Sequence, residues 1–141
     1  MKVLLLGATG LLGHNVLQRL MAEGHAVVAL VRRSGSIKLR GEGWQEIVGS
    51  PVDYESLSSA AESCEAVINC AGVTDMSLRR LEDYLPVNRD LAQMIERVME
   101  EHGIRRLAHI STVNTIGHGY AVRPADETMP MREPFVNSFY A

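Results

Sequence analysis

Short apolar runs alternate with helical patterns along this chain, the signature of a parallel sheet covered by helices. Lys2 to Leu6 reads as a buried strand, and a glycine-rich turn follows it. Leu12, Val16 and Leu20, with Leu17 and Met21 beside them, then form one helical face that Gly24 stops. Ala26 to Val31 is a second buried strand. Residues 32–43 are polar with three glycines and read as a loop. Glu46 to Val48 predicts a short third strand, with Trp44 as a surface anchor before it. Asp53 is placed to cap a helix running through Ala61. Ala66 to Cys70 is a fourth strand. Leu78 to Leu85 has helical spacing up to Pro86. Leu91, Met94, Ile95, Val98 and Met99 mark an amphipathic helix that Gly103 ends. Arg106 to Ser111 is a fifth strand, after which periodicity fades into a loop rich in proline and glycine. The expected strand order is 3-2-1-4-5.

Composition narrows this picture little. Of 141 residues, 46% are hydrophobic and 22% charged, enough for one compact core. A net charge of -3 gives no electrostatic case for nucleic acid or an anionic membrane as partner. No apolar stretch approaches the ~20 residues of a membrane span. Cys64 and Cys70 have neither disulfide-framework nor zinc spacing, which suggests reduced thiols in a cytoplasmic protein. The five histidines are scattered without metal-ligand spacing, and no metal is expected.

The clearest chemical motif is Gly7-Ala8-Thr9-Gly10-Leu11-Leu12-Gly13, between a strand and a helix. Gly7 and Gly10 allow a tight turn and close approach of a pyrophosphate, whose charge the helix N-terminus favours. Gly13 allows the helix to pack tightly on the sheet. A dinucleotide with a free ribose 2′-hydroxyl is usually met by a carboxylate roughly 20 residues past this turn. Arg32-Arg33-Ser34 stands there instead. An arginine fork suits a 2′-phosphate, so Arg32 points to NADP, with NAD the alternative.

Four segments in order, GATGLLG at 7–13, INCAG at 68–72, VNRD at 87–90 and HISTVNTIG at 109–117, resemble the extended short-chain dehydrogenases. These are the NAD(P)-dependent epimerase/dehydratase group, and dihydroflavonol-reductase-like members are the nearest in pattern. The resemblance implies an α/β doubly wound parallel-sheet Rossmann unit. It assigns Gly7, Thr9, Gly10, Leu11 and Leu12 to the pyrophosphate turn and Arg32 to the 2′-phosphate. Ala71, Gly72 and Val73 match a loop lining the ribose and the nicotinamide approach, and Asn88 matches the asparagine of the family's VN motif. Where the family carries Gly-Asp-aliphatic after the third strand, this chain has Gly49-Ser50-Pro51. Ser50 accepts a hydrogen bond more weakly than a carboxylate at the adenine position.

The family's chemistry uses a tyrosine as proton carrier, a lysine that lowers its pKa and a hydroxyl that orients the substrate oxygen. The hydroxyl position maps to Thr112, five residues before Gly117. Ser111, one residue earlier, faces the other side of the strand end and is counted with the cofactor contacts. Tyr140 maps to the first residue of a YxxxK motif whose lysine lies beyond Ala141. His118 is placed to approach a substrate, and Asp126-Glu127 resembles an acidic pair carried by relatives. The expected organisation is therefore a cofactor-binding unit at 1–113 and a loop at 114–141 leading into a catalytic region, truncated after the fifth strand. The first expectation is the N-terminal part of an NAD(P)-dependent oxidoreductase or epimerase. It would act on a small molecule if the native chain is longer, with homodimerisation through the helix at 88–101 possible. The alternatives are a non-catalytic NADP(H) sensor module and one half of a split enzyme.

Overall fold

In the computed structural model, residues 1–112, 122 and 124–129 are described. Five strands form one parallel sheet: β1 (Lys2–Leu6), β2 (Ala26–Val31), β3 (Trp44–Val48), β4 (Ala66–Asn69) and β5 (Leu107–His109). The spatial order is β3-β2-β1-β4-β5, as the sequence predicts. β1 lies in the middle, with Leu4 beside Val28 on one side and Val67 on the other.

The alternation of side chains along the strands sends their apolar groups to two cores. Leu4, Leu6, Val28, Leu30 and Val67 face helices α2 (Tyr54–Ala61) and α3 (Leu91–Glu101), meeting Leu57, Ala60, Leu91, Ile95 and Val98. Leu5, Val27, Ala29 and Val31 face helix α1 (Leu11–Ala22) and pack around Leu17. Helices thus cover both faces, which makes the sheet doubly wound. The expected caps are present. Gly24 ends α1 with φ +75°, and the Asp53 carboxylate accepts the Ser56 N–H at 3.0 Å at the start of α2.

Three local expectations need correction. Trp44 is the first residue of β3 rather than an anchor before it, because pairing with Val27 extends the strand. β4 stops at Asn69, and β5 is shorter than Arg106–Ser111. Residues 78–85 do not form a helix. Only a 3-10 turn at Leu81–Asp83 forms there, since the buried Tyr84 ties the segment into a loop by donating its hydroxyl to the carbonyl oxygens of Asp75 (2.7 Å) and Leu78 (3.2 Å). A π-helical turn, Pro86–Asp90, leads from it into α3. Residues 32–43 form the expected loop after β2, and part of it packs inward. Ile37 is buried in the α1 core and Leu39 packs against that core.

Candidate functional site

The C-terminal ends of β1, β2, β3 and β4 open onto one cleft of about 330 Å³. Gly7, Thr9 and Gly10 form its floor, from the turn between β1 and α1. The Gly10 N–H donates to the Gly7 carbonyl at 3.0 Å, closing that turn. Gly7 has φ +78°, and a Cβ there would lie 2.6 Å from the amide nitrogen of Ala71. Only glycine therefore lets the β1 turn and the β4 loop meet. A Cβ on Gly13 would lie 2.1 Å from the Gly7 carbonyl oxygen, so Gly13 lets α1 start directly under the turn.

The first intrahelical bond of α1 is donated by His14 to Gly10 at 2.9 Å. The amides of Leu11, Leu12 and Gly13 precede it and have no intrahelical acceptor by helix geometry. The Gly10 cap makes no side-chain hydrogen bond and the first turn holds no acidic residue. The residues present therefore fit an anion with two phosphates: a glycine cradle that any Cβ would fill, and a helix dipole unopposed by a carboxylate.

Arg32, just after β2, lines the same cleft, as do Ser50, Pro51 and Val52 after the neighbouring β3. Arg32 is the one charged side chain in the described lining, which holds no Asp or Glu. Asp53 is turned to its own helix, accepting both the Ser56 amide and the Ser56 hydroxyl (2.6 Å). Those bonds, the hydroxyl one foremost, hold its carboxyl below the usual aspartate range.

Cys70, Ala71, Gly72 and Val73 form the wall after β4. The Ala71 N–H donates to Asn69 Oδ1 at 3.0 Å, and Asn69 is the buried polar side chain of the core. Asn88, on the π-helical turn, is not in the lining. Its Oδ1 accepts the Val73 N–H at 2.8 Å and its Nδ2 donates to the Val73 carbonyl at 3.0 Å. It thus acts on the wall from behind. Burial pushes the thiols of Cys64 and Cys70 above their ordinary pKa.

The structure thus gathers Gly7, Thr9, Gly10, Arg32, Ser50, Pro51, Ala71, Gly72 and Val73 around one cleft. Leu11, Leu12 and Gly13, the first residues of α1, are not in the lining, and Leu11 and Leu12 are exposed. Ser111 and Thr112 are exposed beyond the end of β5 and are not in the lining. Tyr140 and His118 lie outside the described residues. Asp126 accepts the Thr128 N–H at 2.9 Å in a local turn. Sequence reasoning missed Leu30, Val31, Val52, Cys70 and Val87 in the lining, although each lies within two residues of a position it did single out. Among the described residues, no group of three or more His, Cys, Asp or Glu could hold a metal, and no helix is long and apolar enough to cross a membrane.

A family model described as NAD(P)H-binding matches residues 7–133. A 4-hydroxy-2-methyl-3-oxo-4-farnesyl-3,4-dihydroquinoline-1-oxide ketoreductase of Stigmatella aurantiaca is 28% identical over 137 residues, 96% of this chain and 41% of that protein. The decarboxylating sterol-4-alpha-carboxylate 3-dehydrogenase of Dictyostelium discoideum is 25% identical over 132 residues, covering 91% of this chain and 40% of its own length. The solved structure of MoeE5 in complex with UDP-glucuronic acid and NAD is 25% identical, with a TM-score of 0.83 over 99% of this chain and 44% of its own. The chain spans about two fifths of the length of these curated relatives. With the glycine turn, the sheet order and the cleft at the strand ends all in agreement, the chain belongs to the NAD(P)H-binding family, as a cofactor-binding unit of the extended short-chain dehydrogenase type.

Proposed function

We propose that this chain is the NADP-binding portion of a reductase or epimerase acting on a carbonyl, hydroxyl or nucleotide-sugar substrate. The single observation that carries the choice of NADP is Arg32, the only charge in the described cleft lining, with no carboxylate opposite it. A guanidinium there can fork onto a 2′-phosphate, and a carboxylate would repel it. Two free thiols suit a reducing compartment such as the cytoplasm.

Each wall has its own task in this reading. The turn from Gly7 to Gly13 binds the pyrophosphate through backbone amides. Ser50 accepts from the adenine amine, and Pro51 flanks it. Ala71, Gly72 and Val73 line the ribose and the approach to the nicotinamide, with Asn88 holding Val73 in place. The bound dinucleotide supplies or accepts the hydride. Thr112 orients the substrate oxygen, with Ser111 toward the cofactor, and Tyr140 holds or gives up the proton there. This assignment follows the motif positions and the exposed place of Thr112 beyond β5.

Equilibrium titration of the chain with NADPH and NADH tests the reading. NADPH should bind more tightly, and Arg32→Asp should weaken it by roughly 10- to 100-fold with little effect on NADH, as loss of a charge-assisted bond pair predicts. Equal affinities for both cofactors, unchanged by the substitution, would show that Arg32 does not read the 2′-phosphate and would overturn the choice of NADP.

A further inference from the structure

We propose that Glu46 is a positioning residue for cofactor selection: from β3, its carboxylate holds the backbone of the loop that begins with Arg32. The inference rests on the reading of Arg32 as the 2′-phosphate contact.

Both carboxylate oxygens are used by main-chain donors of that loop. The Gly35 N–H donates to Oε2 at 2.7 Å and the Ile37 N–H donates to Oε1 at 3.1 Å. Between these two anchors, the Ser36 hydroxyl donates back to the Arg33 carbonyl. Gly35 turns the chain with φ +69°, and Ile37 is buried in the α1 core. The segment from Arg33 to Ile37 is therefore folded back over β3 rather than left in solvent. β2 fixes it at one end, and Glu46 with Ile37 fixes it at the other.

The functional consequence follows from preorganisation. A guanidinium carried on a fixed backbone loses less freedom on meeting a phosphate than one on a loose loop. NADPH and NADH differ only in the 2′-phosphate. The pyrophosphate at the glycine turn is common to both. Loosening this loop therefore weakens NADPH binding and leaves NADH binding nearly unchanged, whereas general destabilisation would affect both.

The test compares the unaltered chain with Glu46→Ala, Glu46→Gln and Arg32→Asp. It measures affinity for NADPH and NADH together with hydrogen exchange at the Gly35 and Ile37 amides. Glu46→Ala should speed exchange at both amides and weaken NADPH by roughly 3- to 10-fold, with NADH changed by less than about twofold. Glu46→Gln keeps one oxygen acceptor and should fall in between, and it answers the question even if the alanine variant fails to fold. Equal losses for both cofactors, no loss, unaltered exchange, or tighter NADPH binding by Glu46→Gln would overturn the proposal. If Arg32→Asp shifts the preference and the Glu46 variants do not, the proposal alone falls. If Arg32→Asp leaves the preference unchanged, the reading of Arg32 falls and takes the proposal with it.

Discussion

The carbonyl oxygen of Gly7 occupies the space where any side chain at Gly13 would begin, 2.1 Å from the site of its Cβ. Both partners in this contact are backbone, so neither can swing aside. Gly13→Ala must push α1 off the β1 turn. Urea unfolding should show a loss of about 1–3 kcal/mol or more, the range for overpacking a tight site. Cofactor affinity should fall as well, because the displaced helix start directly follows the turn that lines the cleft. Unchanged stability would mean that α1 starts elsewhere.

Asn88 should matter through Val73. Asn88→Ala removes both hydrogen bonds to that residue's backbone. The expected loss of stability is about 1–2 kcal/mol, the usual net value of two such bonds. Asn88→Asp keeps an acceptor for the Val73 N–H but loses the donor to its carbonyl, so it should lie between. Hydrogen exchange at the Val73 amide would report the difference directly.

The Asp53 cap predicts a pH dependence with a definite sign. Its carboxyl is held below the ordinary value of 3.8 by the Ser56 hydroxyl and amide. A depressed carboxylate contributes stability that is present above its unfolded pKa and is lost as pH falls through the folded one. Asp53→Ala should therefore lower the melting temperature at neutral pH, and the gap from the unaltered chain should narrow under acid conditions below that ordinary value. A gap that stays constant down to acid pH would show that the cap acts without its charge.

Cys70 offers a marker of where the cofactor sits. It lines the cleft, while Cys64 packs in the core beneath α2 and α3. Burial raises both thiols, so alkylation should be slow at neutral pH and speed up as pH rises. NADPH should protect Cys70 and leave Cys64 unaffected, as read by mass spectrometry of the labelled peptides. Equal protection of both would indicate general tightening rather than occupancy of the cleft.

Ile37 should behave as a core residue despite its place in a polar loop. Ile37→Ala is expected to cost about 2–5 kcal/mol in chemical unfolding. Its exposed neighbour Lys38 should tolerate alanine within about 0.5 kcal/mol. Similar small effects at both positions would show that the loop does not contribute to the α1 core.

What the sequence revealed and what it hid divide along a physical line. Features set by neighbours in the chain were legible. The continuous apolar runs at Val3–Leu6 and Val27–Val31, spaced by a helical pattern, read as parallel strands buried on both faces. The glycine spacing at 7–13 and the cap at Asp53 act within a few residues of themselves. Features set by distant partners were not legible. Leu78 to Leu85 has helical spacing, but Tyr84 finds better partners in the carbonyls of Asp75 and Leu78. The fold-back of the loop after β2 depends on Glu46, a residue of another strand. Asn88 could be matched to a motif from sequence, while its bonds to Val73 depend on how the π-helical turn sets it beside the β4 loop. Arg32 and Ser50, expected on the 2′-phosphate and the adenine of one dinucleotide, do line one cleft, because β2 and β3 are neighbours in the expected sheet order.

The wedge of Gly7 against Cys70 and Ala71 also has a meaning in time. The glycine turn leaves the ribosome well before β4, the strand that carries one wall of its cleft. β1 can pair with β2 early, but the turn stays open on its other side until β4 docks alongside. Competence to hold a dinucleotide is therefore acquired in one step, when the central strand gains its second neighbour. A nascent chain released before that point would carry the whole phosphate-binding motif and still have no site.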